Sequence, residues 1–143
     1  MILVDVNLLV AATMREAPRH ETARPWLQER LSGTARVGLP WAVLTGFVRV
    51  VSQPRAWERP LAVGDAMGIT RSWLARPSTW TPEPGPRHVD HLSTLLTAQP
   101  FVRLVSDAHL AAIALEHGLE LCSQDRDFAR WEDQGLRSRN PLV

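Results

Sequence analysis

Short apolar runs alternate with helix-periodic stretches along this chain, and that alternation restricts its fold more than any other feature. Ile2-Leu3-Val4 is apolar on both faces and stops at Asp5, as a strand buried in the middle of a parallel sheet does. Asn7 is placed to cap a brief helix through Leu8–Ala12. A second helix is expected over about 20–31, with Ala23, Trp26, Leu27 and Leu31 on one face and Gly33 beyond its end. Arg36-Val37-Gly38 reads as the second strand. Pro40 opens a helix carrying Trp41, Leu44, Phe47, Val48 and Val51, and Pro54 closes it.

A further helix is expected over about 63–75. Four prolines between Pro77 and Pro86 then allow at most an edge strand at Thr79-Trp80-Thr81. Helices over about 87–97 and from Asp107 to His117 follow, the latter ended by Gly118. Leu119–Cys122 is the fourth strand, residues 123–128 turn into a short helix, and Leu136-Arg137 is expected as the last strand. Strands alternating with helices imply an α/β fold with a mainly parallel sheet and helices on both faces. No repeat or linker divides the 143 residues, so residues 1–143 are expected to form one domain.

The partners and compartment are narrowed by composition. Lys and Arg together number 16 against 15 Asp and Glu, a net charge of +1, and all the basic residues are arginine. A near-neutral chain is not built to coat nucleic acid non-specifically, but it permits a local basic rim. Guanidinium groups suit such a rim, because they grip phosphate through two parallel hydrogen bonds. A GC-rich genome accounts for the missing lysine equally well. The single cysteine, Cys122, forms no internal disulfide and fits a reducing compartment. The start lacks a basic n-region, and no apolar run approaches the roughly 20 residues of a membrane helix. A soluble, cytoplasmic protein with no membrane association is expected.

Parallel α/β sheets bind ligands beyond the carboxyl ends of their strands, and the aspartates gather there. Asp5 ends the first strand, Asp107 begins a helix, and Asp125 and Asp127 follow the fourth strand. They reach one edge of the sheet if the first and fourth strands are neighbours. Taken singly, Asp107 reads as a helix cap and Asp125 or Asp127 as turn residues. Asp5 does not, because a carboxylate closing an apolar strand needs a partner. Converging carboxylates repel one another and call for a cation; Mg²⁺, or Mn²⁺ in its place, is the hard ion that takes such oxygens.

Four stretches in order carry a resemblance: Val4-Asp5-Val6-Asn7, Leu39-Pro40-Trp41-Ala42-Val43-Leu44 with Phe47-Val48-Arg49, Ser106-Asp107-Ala108-His109, and Cys122-Ser123-Gln124-Asp125-Arg126-Asp127-Phe128. Together they resemble the motifs of VapC-type PIN-domain toxins over nearly the whole chain, and the closing Arg139-Asn140-Pro141-Leu142 is similar to one subgroup. The resemblance implies a PIN-like fold, a five-stranded parallel sheet sandwiched by helices. It also implies Mg²⁺-dependent cleavage of a structured cellular RNA of the tRNA or rRNA class, a small cognate antitoxin that blocks the site, and a homodimer. Asp5, Asp107 and Asp125 would be the catalytic metal ligands, with Asp127 as a fourth ligand or an orienting residue. Arg49 would contact substrate, and Asn7 and Ser123 would hydrogen-bond either a substrate phosphate or a ligand carboxylate.

One position departs from the family. A glutamate is usual on the helix after the second strand, and Gly46 stands there instead, with no carboxylate until Glu58. The alternative is therefore a PIN-like module with weakened catalysis that binds RNA or a protein partner. Of the remaining candidates, His88 and His91 are expected on an exposed helix and His109 near the site. Cys122 is expected as a buried small hydrophobe, and Trp26, Trp41 and Trp73 in core or interface packing. Arg49, Arg55 and Arg59 form either a solvated face or a basic rim beside the acids.

Overall fold

The computed structural model describes residues 1–143. Its centre is β1 (Ile2–Val4), flanked by β2 (Val37–Gly38) on one side and β4 (Glu120–Cys122) on the other. β3 (Thr79–Trp80) and β5 (Ser138–Arg139) are the edges, giving the order β3-β2-β1-β4-β5 with every pair parallel. Leu3 and Val4 are wholly buried, which is why the first run carries no polar residue.

Parallel pairing obliges each connection to cross over, and the crossovers are helical. They are α1 (Val6–Thr13), α2 (His20–Ser32), α3 (Trp41–Val51), α4 (Val63–Leu74), α5 (His88–Ala98) and α6 (Val105–His117). Helices α1 to α4 pack as a chain of neighbours, while α5 packs on α6 and on the 3₁₀ segment Arg126–Gln134. Helix α6 turns Ala108, Ala111, Ala112 and Ala114 into the core, where all four are fully buried. Gly118 ends it at φ 67°, in the left-handed region that glycine enters without strain. No helix is long and apolar enough to cross a membrane.

Most expected elements fall within a residue or two of where the sequence places them. Three local assignments change. Asp5, not Asn7, caps α1, its Oδ1 accepting from the Val6 amide at 2.8 Å. Asp107 is the third residue of α6, because the 3₁₀ turn Val102–Leu104 already leads into the helix. The last strand is Ser138–Arg139 in place of Leu136-Arg137. Leu136 is instead buried directly after the 3₁₀ segment, and register with Leu121 and Cys122 falls two residues later.

The tryptophans divide. Trp73 is in the core against Phe47, with ring centroids 4.7 Å apart, Trp26 is half-buried, and Trp41 is 48% exposed. The most deeply buried is Trp131, unassigned by the sequence, whose indole N–H donates to Leu95 O at 3.0 Å. Cys122 is buried as expected, and burial pushes its thiol up to about 11.

Candidate active site

The sheet order reverses its direction of winding between β1 and β4, which makes the carboxyl ends of these two strands the crevice where an α/β sheet binds ligands. Val4 pairs with Cys122 in register, so the next residues, Asp5 and Ser123, emerge side by side. The Asp5 amide continues the ladder to Cys122 O at 3.0 Å, and the Ser123 amide does so to Arg139 O at 3.0 Å. Rigid backbone thus places both side chains.

A closed set of hydrogen bonds fixes the Asp5 carboxylate. Ser123 Oγ donates to Asp5 Oδ2 at 2.6 Å and accepts from the Asn7 amide group at 2.9 Å and from the Asp125 backbone N–H at 3.0 Å. Asn7 also donates to Asp5 Oδ2 at 3.2 Å, and its Oδ1 accepts from the Gln124 N–H at 3.1 Å. With Oδ1 committed to Gln124, the amide nitrogen of Asn7 must face Asp5 and Ser123. Of the two contacts open to Asn7 and Ser123 from the sequence, a ligand carboxylate or a substrate phosphate, the structure shows the first: their polar atoms hold Asp5 and the turn that presents Asp125. Burial raises the Asp5 carboxyl above its ordinary range, the Ser123 and Val6 donors pull it back, and Asp125 adds repulsion.

Asp107, Asp125 and Asp127 lie close together: each has a carboxylate oxygen within 4.8 Å of the others. Asp125 caps the 3₁₀ segment, accepting from the Asp127 N–H at 2.8 Å. Asp107 has the most perturbed carboxyl. Burial first, then repulsion from Asp125, Asp5 and Asp127, push it up to about 6, with only the Arg103 charge opposing and no hydrogen bond relieving it. A carboxylate left without a donor beside three others is matched to a hard divalent cation, which prefers all-oxygen ligands. Asp107 and Asp125 therefore suit the metal that the fold family implies; Asp5 lies outside the 4.8 Å set, its oxygens held by Val6, Asn7 and Ser123, and borders the same cleft as Asp107. Asp127 differs, since both its oxygens are engaged by arginines, Oδ2 by Arg103 at 2.8 Å and Oδ1 by Arg130 at 2.9 Å.

Asp5 and Asp107 share a cleft of 500 Å³ with Gly46, Arg49 and His109. Arg49 thus reaches the acidic site from α3, whereas Arg55 and Arg59 stay exposed in the loop beyond it. Gly46 is buried, and a Cβ there would stand 2.9 Å from Val6 Cγ2. Val6 fills the volume that a longer residue at 46 would need to enter. His88 is not free on an exposed helix: half-buried, its Nε2 lies 3.0 Å from His109 Nδ1. The sequence also gave no role to Arg103 or Arg130. Neither sits in a motif or a periodic stripe, so only their proximity to Asp127 marks them.

Comparison with known proteins agrees with this geometry. The PIN domain profile matches residues 2–133. Ribonuclease VapC33 of Mycobacterium tuberculosis is 38% identical over 146 aligned positions, covering 99% of each chain. Ribonuclease VapC37 of the same organism is 39% identical over 99% of this chain and 97% of its own. The chain belongs to the VapC branch of the PIN-domain family. Among solved structures, VapBC2 from Rickettsia felis, bound to a DNA fragment from its promoter, superposes with a TM-score of 0.69 at 15% identity, covering 98% of both chains. Mycobacterium tuberculosis VapC20, a toxin that cleaves the sarcin-ricin loop, gives 0.68 at 17% identity over 99% of this chain and 100% of its own. At those identities the likeness is one of fold, and it confirms the PIN architecture expected from the sequence: an α/β fold on a five-stranded parallel sheet.

Proposed function

We propose that this PIN domain is the toxin of a toxin–antitoxin pair, an endoribonuclease that cuts a structured cellular RNA of the tRNA or rRNA class with Mg²⁺, or Mn²⁺ in its place. The observation that carries this reading is the convergence of the Asp107, Asp125 and Asp127 carboxylates within 4.8 Å of one another, at a cleft that Asp5 and Asp107 both line. Its membership among VapC ribonucleases supports the reaction class. A hard divalent ion at such a site supplies activation of water and neutralisation of phosphate charge.

The chain's own residues do the positioning. Asp5, Asp107 and Asp125 would hold the ion. Asn7 and Ser123 keep the Asp5 carboxylate in one orientation, a requirement for ligands whose geometry must not drift. Arg49, in the same cleft, supplies a guanidinium against which a phosphate of the substrate can be held. Its charge offsets the repulsion between a polyanion and the carboxylates.

A small cognate antitoxin, a homodimer and a cytoplasmic location belong to the same proposal. VapBC2 from Rickettsia felis, bound to a DNA fragment from its promoter, and FitAB, bound to the IR36 DNA fragment, share this fold and support a partner protein of the antitoxin kind. Gly46 favours the second reading, a module that binds RNA or protein and cuts weakly, because it removes one carboxylate from the cleft wall and Val6 occupies the space.

The deciding experiment is induced expression of the wild type and of Asp5→Asn in a bacterial host, followed by growth and sequencing of RNA 5′ ends. Growth arrest with discrete new ends, both abolished by Asp5→Asn, is expected. Folded wild-type protein that produces neither would move the assignment to the binding module.

A further inference from the structure

Asp127 stands among the acids by distance and with the arginines by bonding. Each of its two oxygens accepts from a different guanidinium, Arg103 Nη1 at 2.8 Å and Arg130 Nε at 2.9 Å. Arg130 is steadied further by Gln99, its Nη1 lying 3.4 Å from Gln99 Oε1. The neighbouring acids are different. Asp107 has no donor at all, and Asp125 accepts only the Asp127 amide. Four aspartates with one apparent role thus divide into three that lack a cation and one that has two.

We propose that Asp127 is a positioning residue for arginines and not a metal ligand, and that Arg103 and Arg130, held by it at the lip of the acidic cleft, grip the backbone phosphates of the RNA next to the cleavage site. The proposal rests on the ribonuclease reading above. Three observations support it.

First, a metal that recruited Asp127 would have to displace charge-assisted bonds from both oxygens, and such bonds are roughly twice as strong as neutral ones. Mg²⁺ has no need of that displacement, since it is commonly held through one or two carboxylates and keeps several waters. Second, the arginines are presented outward. Arg103 is 58% exposed and Arg130 41%, against 26% for Asp127 between them. Arg103 spends only Nη1 on Asp127 and keeps Nε and Nη2, the edge that suits bidentate phosphate recognition, while Arg130, with Nε on Asp127 and Nη1 on Gln99, keeps Nη2.

Third, the location answers an electrostatic need. Arg103 is paired with Asp127, whose carboxylate lies within 4.8 Å of those of Asp107 and Asp125. A phosphate nearing Asp107 and Asp125 therefore meets positive charge beside them, on the wall formed by the 3₁₀ turn and the 3₁₀ segment. Arg49 supplies the like from α3. An exposed ion pair contributes little to stability by itself, so holding two guanidinium groups at this place is better understood as organisation for binding.

The test compares Asp127→Asn, Arg103→Ala and Arg130→Ala with Asp107→Asn in the full-length protein. Mn²⁺ binding alone is measured by calorimetry. Affinity for a fluorescein-labelled mixed-sequence 20-nucleotide RNA is measured in EDTA at several salt concentrations. Asp107→Asn is expected to weaken Mn²⁺ at least tenfold, while Asp127→Asn and both arginine variants leave it within about threefold. Arg103→Ala and Arg130→Ala are each expected to weaken RNA binding about fivefold and to lower the salt slope by about one. In the Asp127→Asn background the Arg103→Ala loss should shrink below about twofold, because the guanidinium is no longer held. Arg103→Lys, which keeps the charge without the fork, should fall between wild type and alanine and guards against misfolding of a single variant.

Asp127→Asn losing Mn²⁺ as Asp107→Asn does, or arginine variants that bind RNA with unchanged affinity and salt slope, would overturn the proposal. Neither arm needs cleavage, so the two readings fail separately. Wild type that binds Mn²⁺ and RNA with the wrong variant pattern overturns only this inference. Wild type that binds neither overturns the ribonuclease reading, and this one with it.

Discussion

Ser123 Oγ lies 2.6 Å from Asp5 Oδ2, although 118 residues separate the two in the chain. The contact exists because β1 and β4 are sheet neighbours in register, and it is the means by which a buried carboxylate is both retained and aimed.

Removing that hydroxyl should therefore affect more than stability. Ser123 is 3% exposed and serves three partners. Ser123→Ala strands the Asp125 N–H and takes one donor from Asp5, at an expected cost of about 1–3 kcal/mol. Loss of the orienting bond should lower ribonuclease activity about 10–100-fold. Thermal melts and RNA cleavage by the same preparation check both. Activity that falls only in proportion to the folded fraction would show that Ser123 orients nothing.

The Gly46 position makes a packing prediction. A Cβ there meets Val6 Cγ2 at 2.9 Å, and valine has few rotamers in a helix with which to withdraw. Gly46→Ala should destabilise by about 1–3 kcal/mol despite alanine's better helix propensity. Val6→Ala in the same molecule should recover part of that loss. Urea titrations of the single and double variants decide it, and additive losses would mean that the two residues do not compete for space.

Asp107 gives the metal-free protein a pH dependence. Its folded carboxyl sits at about 6 against an ordinary 3.8, so between these pH values the folded state holds a proton that the unfolded chain has released. Stability must then fall as pH rises from about 4 to 6 and level off above, with an upper bound of about 3 kcal/mol before solvent screening. Burial raises Asp5 in the same direction. Urea melts in EDTA at pH 4.5 and pH 7 should show the decline in wild type and a weaker one in Asp107→Asn. Equal slopes in the two proteins would remove Asp107 as its source.

Cys122 should be inert. It lies wholly inside β4, with its thiol at about 11, so little thiolate forms at neutral pH. An aromatic disulfide reagent at pH 8 is expected to label the native protein only at the rate of global unfolding, and the urea-unfolded chain at once. Rapid labelling of native protein would contradict the burial.

Trp131 tests the part of the 3₁₀ segment, beyond residue 128, that the sequence reading did not reach. It is fully buried and bonded to Leu95 O, tying the 3₁₀ segment to α5. Trp131→Ala should cost about 3–5 kcal/mol, measured by chemical denaturation. A cost below about 1 kcal/mol would mean that the segment does not depend on this anchor.

Local physics made the strand and helix order legible. Ile2-Leu3-Val4 can only be a strand covered on both faces, Gly118 ends α6, and the prolines between 77 and 86 confine β3 to an edge. The same locality made Asp5 conspicuous, since an apolar strand rarely ends in a carboxylate without a purpose. Asp107 and Asp125 were legible from their places at a helix start and after the fourth strand, and the family motifs singled out the same residues. What one residue does for another 100 positions away could not be read in this way. Asp127 looks like Asp125 in the sequence, and only the folded chain puts Arg103 and Arg130 on its two oxygens. Asn7 looks like a helix cap until β1 and β4 pair and Ser123 and Gln124 arrive beside it. His88 has its natural neighbour at His91 by spacing, yet α5 packs on α6 and gives it His109. Sequence by itself determined which elements form and which acids are available, because those follow from periodicity and residue chemistry within a few positions. Tertiary structure decided which acid lacks a counter-charge and which already has one, because Coulomb interactions depend on distances in space that no spacing along the chain encodes.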